Sequence, residues 1–419
     1  MKKLVNFSVA FMTTTLLCLS CQKEDVVARM DVTPTKSENV QKGKTAHVSY
    51  KDAIQIATEA VAMLEGGVTT RSGVKRRVDL SKVKYHVTPQ TRSGEGGDTL
   101  YYVVNYADNA GFALVSTSRA DGDPLIAVTE QGNFTPGEET GNPGFDMYID
   151  LLNSRIDDGR PGIDPEFPGF GPFYETVVYE DSAVSPLLAV RWGQGSPYNR
   201  YCNNGYAGCV AVAIAQIMSY YQYPTSFIRT HDDSNITQTL NWAGLKSTPY
   251  AENCTPNDKN AIAHFIREIG KTVRMRYYTH GSYAFIDSVK MYMPDWGYSP
   301  NMTIEDYDFS LVMSELDNNR PVYMRGLNPS SEGHAWVVDG YRSHWSETTE
   351  YYETGMGGDR IISNVTASLY NHLHINWGYD GQCNGYYASR VFDMNNPVQL
   401  DTGVGLVNPP PLVMKQIWK

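Results

Sequence analysis

Positive charge is scarce in this chain. Its 35 Lys and Arg face 46 Asp and Glu, giving a net charge of −11, and no basic run stands against that balance. A nucleic-acid or anionic-membrane surface as main partner is excluded on that ground. Long apolar runs are missing too: residues 4–20 are broken by Asn6 and by Ser and Thr, too short and polar for a membrane helix. Cysteine is sparse, with six in 419 residues, no CxxC and no Cys/His spacing suited to structural zinc. A GxSxG elbow, a GxxxxGK loop followed by Ser or Thr, and a GxGxxG after a strand are all absent. These absences remove the serine hydrolase, NTPase and dinucleotide-binding readings. No metal or cofactor is expected.

What the chain does have is Tyr (29), Gly (36) and Pro (22), a loop-rich composition with strand-friendly aromatics. At about 150 residues per domain, its length suggests two to three domains. The cationic start Met1-Lys2-Lys3 and the apolar run ending Leu17-Cys18-Leu19-Ser20-Cys21 read as a secretory signal. That ending resembles a bacterial lipoprotein cleavage box, although Cys18 stands where an aliphatic residue is usual. The resemblance implies a signal peptide over 1–21 and a lipid anchor at Cys21, the one route to a membrane. Lys23-Glu24-Asp25 resembles the Lys-acidic-acidic signal of surface-displayed lipoproteins. The expectation is an exported outer-membrane lipoprotein, either on the cell surface or released after maturation. Ordinary signal cleavage nearby is the alternative, and it too places the protein outside the cytoplasm.

Residues 22–47 are polar and aperiodic, a tether with no assigned structure. Apolar residues at three- and four-residue spacing from Ala53 to Leu64 predict a helix over 50–65. Strand-like runs follow at 83–87, 100–106, 112–116 and 125–129. Asp108-Asn109-Ala110-Gly111 joins two of them as a hairpin, and a second helix is expected at 145–156. Asp146, Asp150, Asp157 and Asp158 read as that helix's face and cap. The stretch 157–173 holds four Gly and four Pro in seventeen residues and marks a boundary. The division is therefore a small α+β unit over 48–180 that includes this linker, then a larger domain over 181–419.

The larger domain carries the chemistry. Asn204-Gly205-Tyr206-Ala207-Gly208-Cys209 runs into an Ala-rich apolar stretch that ends at Tyr223-Pro224, a buried helix with Cys209 in its first turn. Helix-terminal N–H groups favour a thiolate there, although a small buried structural Cys is the plain alternative. Gly333-His334 opens an apolar strand that closes at Asp339-Gly340, and Ile375-Asn376-Trp377-Gly378 ends another. His334 is thus a candidate base, Asn376 an amide to orient it and Trp377 a shield against water. Gln194, in Trp192-Gly193-Gln194-Gly195, can donate to an oxyanion together with the Cys209 N–H. His372 and His374 share one face of a strand and read as core or surface residues, and His264 and His280 carry no pattern.

The order Gln, Cys, His, Asn is that of papain-like thiol peptidases. The strings WGQGSPYN, YAGCVAVAIAQIMSYYQYP, GHAWVVDGY and INWGYDG resemble, nearly position for position, the streptopain family of secreted bacterial cysteine peptidases. The resemblance covers about 185–400 well and extends to residues 100–134, which are similar to that family's inhibitory propeptide. It implies an α+β fold: a papain-like two-part catalytic domain over 181–419, preceded by a small α+β inhibitory prodomain. It further implies polypeptide substrates, host proteins among them, an apolar preference two residues before the scissile bond, and the protein's own prodomain as intramolecular inhibitor. Cys209 is then the nucleophile, His334 the base and acid, Gln194 the oxyanion donor, and Asn376 and Trp377 the supports. Two features stand apart from the pattern. Residues 343–366 form a long polar insertion, read as a substrate rim or a solvated loop, and Cys202, Cys254 and Cys383 are not needed by the chemistry. The alternatives are a catalytically silent surface lipoprotein that binds host matrix or glycans, and a thiol acyltransferase of similar fold.

Overall fold

This computed structural model describes residues 41–45, 47–65, 78–87, 99–118, 123–156, 173–202, 205–230, 235–278, 281–327, 333–354, 359–392 and 412–415. The export segment with Cys18 and Cys21, the linker over 157–172 and His280 lie outside them.

The N-terminal part is built from β1 (Gln41–Thr45), α1 (Tyr50–Glu65), β2 (Val78–Val87), β3 (Thr99–Tyr106), β4 (Phe112–Ser116), β5 (Leu125–Thr129) and α2 (Pro143–Ile156). A reciprocal cap starts α1: Ser49 Oγ accepts from Asp52 N–H at 3.2 Å, and Asp52 Oδ2 accepts from Ser49 N–H at 3.2 Å. Its buried face, with Ala53, Ile56, Ala57, Ala60 and Leu64, covers Val104, Val115 and Val128 of the strands. The expected hairpin is present. Asp108 and Asn109 both turn at φ 58°, and Gly111 sits at φ 98° where a Cβ would lie 2.1 Å from the Thr129 carbonyl oxygen.

The C-terminal part opens with β6 (Phe173–Val184) and α3 (Cys209–Tyr221), followed by β7 (Ser226–Arg229), β8 (Ile236–Thr239), α4 (Trp242–Leu245) and α5 (Pro256–Thr272). Next come β9 (Arg276–Tyr278), β10 (Gly281–Tyr283), α6 (Ile286–Tyr292), β11 (Thr303–Asp306), α7 (Phe309–Asp317) and β12 (Val322–Leu327). The long strands β13 (Gly333–Thr354) and β14 (Asp359–Asn376) precede β15 (Gly385–Ala388) and β16 (Leu412–Lys415). One core surrounds α3 and α5, with Trp192, Ile214, Ile217, Phe265 and Ile269. The other, with Trp336, Val338, Leu373, Ile375 and Trp377, lies against the sheet. This is the expected α+β class.

The main sheet runs β11-β16-β12-β13-β14-β15-β5-β4-β3-β2, so it passes without a break from the C-terminal part into the N-terminal one. The joint is the antiparallel pairing of β15 with β5, Gly385 opposite Thr129 and Tyr387 opposite Ala127. Helix α2 reinforces it. Phe145, Tyr148, Leu151 and Leu152 share a core with Trp336, Trp377, Tyr387 and Phe392.

Two expectations change. Residues 343–354 and 359–366 are not a loop: β13 and β14 continue as a paired arm, and β6 lies along the other side of β13 from Tyr341 to Tyr351. Ladder hydrogen bonds are made on both edges of β13 along this stretch. The tether, to which no structure was assigned, contributes β1, which pairs with the free edge of β6. Strand β6 also spans residue 180, so the residues on both sides of that expected boundary belong to one strand.

Phe145 is fully buried against Phe112, Phe134 and Tyr387, with ring centroids 5.4, 5.2 and 6.3 Å away. Replacing it with Ala is expected to cost about 3–5 kcal/mol, measured by chemical denaturation of the whole chain. A cost below about 1 kcal/mol would show that the shared core does not hold the two parts together.

Candidate active site

Cys209 begins α3, and the residue before it explains how. Gly208 has φ 88°, and a Cβ there would lie 2.2 Å from Met275 Cε, so only glycine lets the chain turn into the helix at this point. Burial pushes the Cys209 thiol above its usual range. The backbone N–H groups of Ala335, Val210 and Cys209 itself and the charge of Arg325 act the other way. The expectation of a ready thiolate at a helix start is therefore corrected for this arrangement, because loss of water outweighs the helix-end donors. The Ala335 N–H also ties the sulfur to β13, one residue beyond His334.

The His334 ring is buried. Its Nε2 donates to the Trp377 carbonyl at 2.9 Å, since a carbonyl can only accept, and this leaves Nδ1 as the basic nitrogen. Burial lowers its pKa from 6.5 to about 4, against the pull of that carbonyl, so the ring is neutral at pH 7. Among the described residues no hydrogen bond or charge interaction joins the Cys209 sulfur to this ring.

Asn376 lies one residue before Trp377, but its side chain does not bond the imidazole. Its amide donates to the Val190 carbonyl at 2.9 Å, and its oxygen accepts from Gly378 N–H at 3.2 Å. It fixes the turn that presents the Trp377 carbonyl. The Trp377 indole N–H donates to the Cys383 carbonyl at 3.1 Å, and the ring centroid stands 6.4 Å from that of His334. Gln194 is buried, and its backbone carbonyl accepts from Ala207 N–H at 2.9 Å, which ties its loop to the residue two before Cys209. All five residues named from the sequence thus converge where α3, β13 and the end of β14 meet.

Gly144 of α2 packs onto this centre. A Cβ placed on it would lie 2.4 Å from His334 Cδ2 and 2.5 Å from Trp377 Cε3. The helix start is held there by Asn142, whose Oδ1 accepts from the Gly144 and Phe145 N–H groups at 3.1 and 3.2 Å. The Asn142 amide donates to the Gln382 carbonyl at 2.8 Å. Asn-Pro-Gly is a helix-start signal in sequence, yet nothing in it says where the helix will dock.

Other sequence candidates find structural places. His372 donates to the Leu125 carbonyl at 3.1 Å, His374 lies 2.6 Å from Asp339, and His264 stacks on Tyr201 at 3.7 Å. Cys202, Cys254 and Cys383 are free thiols. Among the described residues no three His, Cys, Asp or Glu side chains are placed to hold a metal. One carboxyl escaped the sequence reading. Burial raises Asp380 to about 6, and its Oδ2 would lie 2.1 Å from a Cβ on Gly193, next to Gln194.

Comparison with known proteins assigns a family to each of the two parts. The Peptidase C10 family matches residues 192–387, and the Spi protease inhibitor family matches residues 45–156. The catalytic half is a Peptidase C10 domain. The chain is 25% identical over 392 residues to the thiol protease/hemagglutinin PrtT of Porphyromonas gingivalis, covering 82% of this chain and 41% of that protein. It is 23% identical over 386 residues to streptopain of Streptococcus pyogenes, covering 83% of this chain and 86% of that one. The C10 domain is thus a cysteine peptidase domain behind an inhibitor-type prodomain, and the α2 start that covers His334 belongs to that prodomain.

Gly144→Ala in the precursor should force α2 away from the His334 ring. The rate at which an epoxysuccinyl thiol reagent modifies the Cys209 peptide, followed by mass spectrometry, should then rise. An unchanged rate would show that this contact does not shield the centre.

Proposed function

We propose that this protein is a secreted or surface cysteine endopeptidase made as a zymogen, anchored at first through Cys21. The observation that carries the reading is the convergence of Cys209, His334 and the Gln194 loop beneath the Gly144 end of the prodomain. Once the prodomain withdraws, water reaches the centre and the desolvation that holds His334 low and Cys209 high is relieved, favouring a thiolate–imidazolium pair. The thiolate attacks the scissile carbonyl, and the oxyanion accepts from the Gln194 amide and the Cys209 N–H. His334 protonates the leaving amine and then draws a proton from the water that hydrolyses the acyl-enzyme. The Trp377 carbonyl steadies the ring throughout, while Asn376 supports it from behind.

Several finer assignments rest on the resemblance to the streptopain family. They are extended polypeptides as substrates, host proteins among them, an apolar residue two positions before the cut, and the position of maturation between about 158 and 187. The export signal supports a site of action outside the cytoplasm. Hydrolysis rather than acyl transfer is favoured by the inhibitor-type prodomain, which guards an enzyme against premature proteolysis.

The test is incubation of the precursor with a thiol reductant, following chain length and casein cleavage. The expected outcome is conversion to a shorter, active form blocked by thiol alkylation, with no conversion and no activity in Cys209→Ala. Gln194→Ala should slow processing and lose about 10²–10³-fold in kcat. An intact, silent precursor, even after its linker is cut by trypsin, would move the matrix-binding lipoprotein reading ahead.

A further inference from the structure

His372 and His374, the pair that the catalytic reading leaves unused, both face the prodomain across the seam between β15 and β5. The His374 side is the more telling. Its Nδ1 lies 2.6 Å from Asp339 Oδ1, and its Nε2 lies 3.5 Å from Oε1 of Glu130, which follows β5 in the prodomain. The second Glu130 oxygen is 2.5 Å from Arg191 Nη2. The Glu130 N–H donates to the Asn384 carbonyl at 2.7 Å, so backbone and side chain both cross the seam at this one residue. Asp339 is itself held by the Leu188 N–H at 3.0 Å. Asp339, His374, Glu130 and Arg191 form a chain of alternating charge, three members of the peptidase domain and one of the prodomain.

We propose that Arg191 and His374 form a carboxylate-binding site on the peptidase domain, separate from the catalytic centre, and that Glu130 is the prodomain group it recognises. The inference rests on the zymogen reading. The seam alone offers only generic strand pairing, which any extended segment could satisfy. A carboxylate between two cations supplies what the strand lacks, a fixed register and a partner that must be acidic. The site is also costly to leave half filled. With Glu130 gone, two cations share the single carboxylate of Asp339 in a largely buried place.

The site has a pH dependence with a definite sign. Burial alone would lower His374, but the charge and hydrogen bond of Asp339, followed by the nearby Glu130 carboxylate, outweigh it and hold the ring at about 9. The other groups near it are the Tyr386 ring, 5.0 Å away on β15, and Arg342, whose guanidinium lies over that ring. A raised pKa means that the hold is fully present below the ordinary histidine range and is lost as pH rises through about 9.

The test uses the full precursor carrying Cys209→Ala, which cannot process itself, and reads amide hydrogen exchange by strand. Glu130→Gln should speed exchange in 125–129 and 385–388 by on the order of 10- to 100-fold, with α1 and α3 unchanged. The double variant with Arg191→Gln should exchange more slowly than the two singles combined would require, showing coupling. Raising the pH through about 9 should loosen the seam of the Glu130-containing chain, after correction for intrinsic exchange, and leave the Glu130→Gln chain unaffected. With Cys209 intact, Glu130→Gln should process faster yet yield a mature enzyme of unchanged kcat/KM, because Glu130 departs with the prodomain. Unaltered exchange at the seam, or strictly additive variants, would overturn the proposal. Absence of any proteolysis would instead strike the peptidase reading and leave the exchange result standing. If Glu130→Gln loses protection in α1 and α3 as well, Glu130→Asp serves as the second variant and should retain more of the seam's protection.

Discussion

The contact on which the molecule turns is that of Gly144 with the His334 and Trp377 rings. There is room for a hydrogen at that position and for nothing larger. Because the backbone of α2 comes so close, water is kept from the imidazole and the ring stays neutral. Burial likewise pushes the Cys209 thiol above its usual range. On the proposed zymogen reading, latency is an electrostatic state maintained by packing. The medium around Cys209 and His334 disfavours charge on either.

That packing depends on the sheet beyond it. Helix α2 can reach His334 only because β5 is laid along β15 and the shared core of Phe145, Tyr148, Tyr387 and Trp377 fixes the angle between them. The prodomain thus behaves less as a cap over a finished enzyme than as a continuation of its sheet and core. Polar groups also cross the seam. Gln131 and Asn142 donate to the carbonyls of Asp380 and Gln382, while Gln382 donates back to Thr140. Such bonds are readily exchanged for water, whereas the Trp336–Trp377 core remains with the peptidase domain.

Much of the site was legible in the sequence because its parts are local. Cys209 at the start of an apolar Ala-rich stretch, His334 and Asn376 at strand ends, and Gln194 between glycines each sit in a short pattern whose chemistry can be read without coordinates. The role of Asn376 was less legible. Sequence offers its side chain as the orienter, whereas the fold turns that amide toward Val190 and leaves the work to the backbone carbonyl of the next residue. Backbone groups have no letter in a sequence. The arm of β13 and β14 was hidden for another reason: it lacks the apolar alternation that announces a strand, and its strand β13 is held by ladder bonds to β14 on one side and β6 on the other.

The sequence by itself determined the α+β class, the helix over Tyr50–Glu65, the turn at Asp108 and Asn109, and the candidates for nucleophile and base. Each depends on residues within one helix, one turn or one strand end, where propensity and steric limits act over a few positions. Only the tertiary structure decided that Gly144 would meet His334, that the burial of Cys209 would outweigh its helix, and that Glu130 would stand between Arg191 and His374. Those pairs are separated by tens to hundreds of positions along the chain. Their energies come from exclusion of water and from charges brought within a few ångströms of one another, and neither exists until the sheet has closed.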